Sequence, residues 1–139
     1  MKLPIMKVPD IRLLPKIFQK YSQIQAVYLF GSRASGKTHK ESDFDLAIVS
    51  QGSGLRSRRL DILYDLAKVG FCNVDLIFLD TTDIVLQYEA IRMNKVIYQT
   101  KNFDKGAMYS KVIRQYLDFL PYLKVQREAY KRRILSGQT

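Results

Sequence analysis

Residues 25–30 (QAVYLF) form an almost unbroken apolar run that stops at Gly31. A run of this kind reads as a buried strand. Residues 43–50 (DFDLAIVS) follow with a different pattern. Phe44, Leu46 and Ile48 point to one face of an extended chain, and Asp43, Asp45, Ala47 and Val49 to the other. Between the two runs, residues 33–42 (RASGKTHKES) are polar and contain Gly36, which makes most of this stretch a loop. Two strands joined in this way leave two aspartates, at i and i+2, on one strand face.

The rest of the chain supplies the other layers. Residues 10–21 carry Ile11, Leu14, Ile17, Phe18 and Tyr21 at helical spacing, with Asp10 as N-cap and Pro15 delaying the regular helix to its own position. An amphipathic helix is expected over 55–69, with Leu55, Leu60, Leu63, Leu66 and Ala67 inward, Arg56, Arg58 and Arg59 mostly outward, and Gly70 at C′. Residues 72–79 (CNVDLIFL) are a second apolar strand, interrupted by Asp75. Residues 82–93 are expected to be helical, capped by Thr81 or Thr82, and 95–99 form a short strand. A long helical pattern runs from about Phe103 to Leu135, and Pro121 should kink or divide it. Strands mixed with helices and a helical last third imply an α/β or α+β domain.

Composition narrows the class. The chain has 139 residues, and at 47% hydrophobic it can bury a real core, so it is not a disordered basic tail. No apolar run approaches the roughly 20 residues of a membrane span. The first ten residues (MKLPIMKVPD) lack the apolar stretch of a signal peptide. A single cysteine, Cys72, forms no internal disulfide, so a cytoplasmic location is expected. The formal net charge is +10, but residues 21–100 are balanced and the excess lies at the two ends. The layout therefore reads as a core over 1–100 and a basic helical tail over 101–139, either part of the same domain or a partner-docking extension.

Two aspartates sharing a strand face can hold a divalent cation through hard oxygen ligands. Asp75 is the natural third carboxylate, from a neighbouring strand. A charge buried among the apolar neighbours of that strand would be costly without a cation. Two bound ions can clamp the attacking and leaving oxygens of a nucleotidyl transfer. Gly31, at a strand end, lets the backbone approach a phosphate closely. The amides after it and the Ser32 hydroxyl can donate to the anion, and the adjacent Arg33 can reach it.

The spacing of these residues, Gly31-Ser32, ten residues, then Asp43-Phe44-Asp45, resembles the GS-x10-DxD signature of the DNA polymerase β-like nucleotidyltransferases. The longer string LFGSRASG…SDFDLAIV, the later Val74-Asp75-Leu76 and the basic helical tail resemble the minimal nucleotidyltransferases, the antitoxins paired with HEPN-domain toxins. The resemblance implies a nucleotidyltransferase fold, a small mixed β-sheet packed by helices. It implies Asp43, Asp45 and Asp75 as catalytic metal ligands for two Mg²⁺ ions, and Gly31, Ser32 and Arg33 as nucleotide-binding residues. The implied activity is that of the antitoxin in a type VII-like toxin–antitoxin pair. AMP would pass from ATP to a tyrosine hydroxyl of a cognate HEPN ribonuclease toxin and silence it.

Other readings compete. A non-catalytic antitoxin would act by occlusive binding, with the tail as its contact surface. A nucleotidyltransferase acting on RNA is kept open by the charge, but no RNA-binding module or aromatic-basic platform is present in the sequence. Small-molecule transfer usually brings a larger substrate domain. His39 reads as a solvated loop residue and Cys72 as an inert strand residue. Asp61 and Asp65 read as a solvated helix face beside Arg58. Tyr109, Tyr116, Tyr122 and Tyr130 read as core or partner contacts, and Lys131-Arg132-Arg133 as a solvated helix end. With an acidic trio in the balanced middle, the terminal surplus of positive charge reads as a docking surface for an acidic partner, a protein before a nucleic acid.

Overall fold

The computed structural model describes residues 10–31, 44–52 and 54–137. Four strands, β1 (Ile24–Phe30), β2 (Phe44–Ser50), β3 (Val74–Phe78) and β4 (Val96–Gln99), form one sheet in the order β3-β2-β1-β4. β1 is antiparallel to β2 and β4, whereas β2 and β3 are parallel. The sheet is therefore mixed, as expected. Helices α1 (Leu14–Phe18), α2 (Arg59–Lys68), α3 (Ile84–Ile91) and α4 (Lys105–Leu135) surround it.

Both faces of the sheet are covered, which explains the unbroken apolar run of β1. On one face Leu14, Ile17 and Phe18 of α1 and Ile62 and Leu66 of α2 pack with Val27, Leu29, Leu46, Ile48 and Leu76. On the other, Ala90 and Ile91 of α3 and Val112 of α4 pack with Ala26, Tyr28, Ala47 and Leu79. The predicted alternation of β2 holds. Ile24 and Ala26 would share a face in a regular strand, yet they lie in different clusters, because the β1–β2 register shifts between them.

The helix ends follow local chemistry. Asp10 caps a 3₁₀ turn (Ile11–Leu13) by accepting from the Arg12 amide, and Pro15 sits in the first turn of α1, where its missing N–H costs nothing. Gly70 follows α2 at φ +101°, the left-handed C′ position. The cap of α3 is Asp83, not Thr81 or Thr82. Its carboxylate accepts from the Leu86 amide, and Thr81 Oγ1 instead accepts from the Asp83 amide.

Three expectations need correction. The segment 55–69 is not one helix: a 3₁₀ turn (Gly54–Arg58) precedes α2. The tighter turn breaks the phase counted from Leu55. Ile62 and Leu66 become the buried line, while Leu60 (78% exposed) and Ala67 face solvent. Arg56, Arg58 and Arg59 are exposed, as expected, and Arg59 donates from Nη1 to the Leu76 carbonyl at 2.6 Å, satisfying an acceptor of β3, at the sheet edge. Finally, Pro121 does not divide the last helix, which runs continuously from Lys105 to Leu135. The carbonyl of Leu117 left without a donor there belongs to an exposed residue, so water can satisfy it.

Asp104 starts α4 by accepting from the Ala107 amide, and the first half of the helix packs on α3. Tyr116 stacks on Tyr88 with ring centroids 3.7 Å apart and planes 6° from parallel. The second half extends past this contact, and its residues are largely exposed.

Candidate active site

The site is built at one end of the sheet, where the last residues of β1 lie beside the first residues of β2, and those beside the first of β3. β1 runs up to Phe30 and Gly31, and β2 and β3 begin beside that end. Asp45, the second residue of β2, pairs with Phe30 across the antiparallel ladder and with Asp75 across the parallel one. In-register neighbours point to the same face, so Phe30, Asp45 and Asp75 form one row across three strands. Adjacent strands lie about 4.8 Å apart, so the in-register pairing sets the two aspartates on neighbouring positions of one sheet face. The next row on this face, Tyr28, Ala47 and Ile77, is apolar and roots the acidic row in the core.

Gly31 completes the arrangement. Its φ is +74°, in the left-handed region. A Cβ at this position would overlap Asp45 Oδ2 and lie 3.0 Å from Asp45 Cγ. The Asp45 carboxylate therefore lies against the glycine backbone, in space that a side chain would fill. Two halves of the sequence motif, fourteen positions apart, are joined by direct packing.

Of the predicted residues, Gly31, Asp45 and Asp75 are brought together. Asp43, Ser32 and Arg33 lie outside the described residues, as does His39. The burial argument for Asp75 is corrected: its side chain is on the exposed end of β3, and only Asp45 is half-buried. A cation is therefore not demanded by burial of Asp75. What suits one is the pairing of two carboxylates on adjacent strands, which offers oxygen donors from both. The donor set is oxygen only, suited to Mg²⁺.

Sequence reading missed Phe30, whose half-buried ring flanks Asp45 and packs toward the second core cluster. The signal was hidden because β1 is apolar on both faces. It also misread Asp65. Asp61 does sit by Arg58, at 3.4 Å, but Asp65 accepts a 2.6 Å hydrogen bond from the Tyr21 hydroxyl and lies 3.6 Å from Lys68 Nζ. The Tyr21 bond holds the Asp65 carboxyl below the usual carboxylate range. Burial, with Asp65 alongside, pushes the Tyr21 hydroxyl up to about 12. This pair ties α2 to the start of β1 and stands apart from the acidic row.

A mixed sheet with helices on both faces and adjacent carboxylates beside a glycine turn defines a nucleotidyltransferase fold. Residues 13–103 match the Polymerase beta, Nucleotidyltransferase family, and the chain belongs to it. The protein adenylyltransferase MntA of Shewanella oneidensis is 29% identical over 83 residues, 60% of this chain and 60% of that protein's own length. Two solved structures share the fold. One is a toxin–antitoxin with AMP-PNP (24% identity, 89% of this chain, 96% of the matched chain, TM-score 0.65). The other is a tri-AMPylated Shewanella oneidensis HEPN toxin in complex with MNT antitoxin (21% identity, 90% and 95%, TM-score 0.62). Among the described residues, no helix is long and apolar enough to cross a membrane.

Proposed function

We propose that this chain is an antitoxin that transfers AMP from ATP to a tyrosine hydroxyl of a cognate HEPN-domain toxin, with Mg²⁺. The observation that carries this is the in-register pair Asp45 and Asp75 beside Gly31. The printed descriptions of the relatives, a protein adenylyltransferase and an AMPylated toxin, support the acceptor class.

In this reading the acceptor oxygen forms a bond to the α-phosphorus of ATP. The bond from that phosphorus to the bridging oxygen breaks, and pyrophosphate leaves with its electrons. Asp75, on the exposed end of its strand, is open to the incoming hydroxyl and takes its proton. Asp45, held against Gly31, is the more fixed of the two carboxylates and serves as the metal ligand, with Asp43 as its partner in the motif. Bound Mg²⁺ would supply charge neutralisation of the phosphates. Gly31 leaves the backbone accessible to the triphosphate, with Ser32 and Arg33 assigned to it by the motif.

The test is incubation of the purified chain with its cognate HEPN toxin, labelled ATP and Mg²⁺. Wild type should label a toxin tyrosine, and Asp45→Asn and Asp75→Asn should not. Equal labelling by wild type and variants removes these residues from the chemistry. Neutralisation in cells by an unlabelling variant would favour occlusive binding. Independently, Mg²⁺ with ATP at about 100 times its Kd should stabilise the wild type by roughly 2.7 kcal/mol through mass action. The melting shift should be much smaller in Asp45→Ala, and an equal shift would exclude Asp45 from the nucleotide site.

A further inference from the structure

The stripe that packs α4 onto the domain does not stop where the domain stops. Val112, Tyr116, Phe119, Leu123 and Tyr130 recur at steps of four, three, four and seven residues, with Ile134 one turn further on. This repeat keeps one helix face turned toward a neighbouring helix. α3 is that neighbour for the first part, where Val112 is buried with Ala90 and Ile91, and Tyr116 stacks on Tyr88. α3 has eight residues, so it is about 12 Å long, while α4, with 31, is about 46 Å. It cannot cover the rest. Phe119 and Leu123 are half-buried, but Tyr130 and Ile134 are 62% and 59% exposed.

Residues 121–135 carry five basic groups against a single acid, Glu128. At 3.6 residues per turn Lys124, Arg127 and Lys131 fall on one side of this uncovered stripe and Arg133 on the other, while Arg132 falls on the opposite face. We propose that the face of α4 from Phe119 to Ile134 is the docking surface for the protein partner, and that it receives an amphipathic helix with an acidic rim. The proposal rests on the reading above that the partner is a protein toxin. Charge selects the occupant. A second copy of this chain would set one basic rim against another, a like-charge juxtaposition that opposes pairing. A nucleic acid would satisfy the cations but leave Leu123 and Ile134 uncovered on the same face. An apolar seam inside a basic rim matches an acidic amphipathic helix in both respects. Because this surface is a continuation of the packing seam, and not part of the acidic row, the partner can be held whether or not AMP is transferred.

The test uses the full chain and its cognate HEPN toxin in titration calorimetry. Tyr130→Glu/Ile134→Glu and Lys131→Glu/Arg133→Glu change exposed positions, and the Mg²⁺-ATP melting shift reports that the fold and nucleotide site are intact. Both double variants should bind the toxin at least roughly ten-fold more weakly. Added salt should weaken wild-type binding more than that of Lys131→Glu/Arg133→Glu. Unchanged affinity in both overturns the docking surface while leaving the transfer reading to its own labelling test. Conversely, absent labelling by a wild type that binds through this face would defeat the transfer reading alone. Sedimentation as a dimer that Tyr130→Glu/Ile134→Glu dissociates would also overturn the proposal. So would capture of fluorescent single-stranded RNA by the wild type that Lys131→Glu/Arg133→Glu abolishes while toxin affinity stays unchanged.

Discussion

Replacing Gly31 with alanine asks whether the turn after β1 and the Asp45 carboxylate act as one unit. The structure separates two costs. The first is the backbone, since an L-residue at φ +74° is disfavoured by roughly 1–2 kcal/mol. The second is space. The new Cβ would overlap Asp45 Oδ2 and sit 3.0 Å from Cγ, so the short side chain must rotate away. Holding it off its preferred rotamer adds about 0.5–1.5 kcal/mol. Gly31→Ala should therefore cost ~2–3 kcal/mol in urea unfolding. In an Asp45→Ala background the nearest remaining contact is Cβ at 3.4 Å, an ordinary distance, and only the backbone cost should persist. The double-mutant cycle should return a coupling of roughly 0.5–1.5 kcal/mol. Transfer activity should show the same dependence. Gly31→Ala should lose nearly as much activity as Asp45→Ala, and adding it to Asp45→Ala should lose little more. The same unfolding cost in both backgrounds, together with near-normal transfer by Gly31→Ala, would refute the reasoning.

Tyr21→Phe removes the donor to Asp65 and should cost about 1–2 kcal/mol at neutral pH. Because the Asp65 carboxyl is held below its ordinary value of 3.8, its stabilisation is present above that pH and is lost as pH falls through the lower folded value, so wild type and variant should converge in acid melts. At the other end, the raised Tyr21 hydroxyl adds stability below pH 10.0 that fades as pH rises toward about 12, and Tyr21→Phe should lack that alkaline loss. Tyr28→Phe should be neutral or stabilising by up to about 1 kcal/mol, because the fully buried hydroxyl has no hydrogen-bond partner among the described residues. A clear loss of melting temperature would mean that it has one. Leu66→Ala should cost about 2–5 kcal/mol, whereas Leu60→Lys should change stability by less than about 0.5 kcal/mol. Similar costs in chemical denaturation would restore Leu60 to the core.

Much of this architecture follows from short-range pattern. The run 25–30 and the alternation of 44–50 became strands, and Asp10 and Gly70 took their places at helix ends. Such features depend on a residue's own backbone preference and on neighbours within a few positions. Errors arose where a distant partner or a change of helical pitch intervened. Leu60 was placed inward by counting from Leu55, but the 3₁₀ turn between them resets the phase. Asp65 looked like a surface acid because its partner, Tyr21, is 44 positions away.

The site divides in the same way. By itself, the sequence determined which residue types were present at the required spacing: a glycine at the end of a buried strand, aspartates alternating on the next, and one more in a third strand. Only the tertiary structure decided that Asp75 lies in register with Asp45, that its strand end is exposed, and that Gly31 leaves the space the Asp45 carboxylate occupies. It likewise decided that α3 covers only the first part of the α4 seam. Alternation can specify a strand's faces, but pairing register and coverage are set by packing between segments far apart in the chain, and no local pattern encodes them.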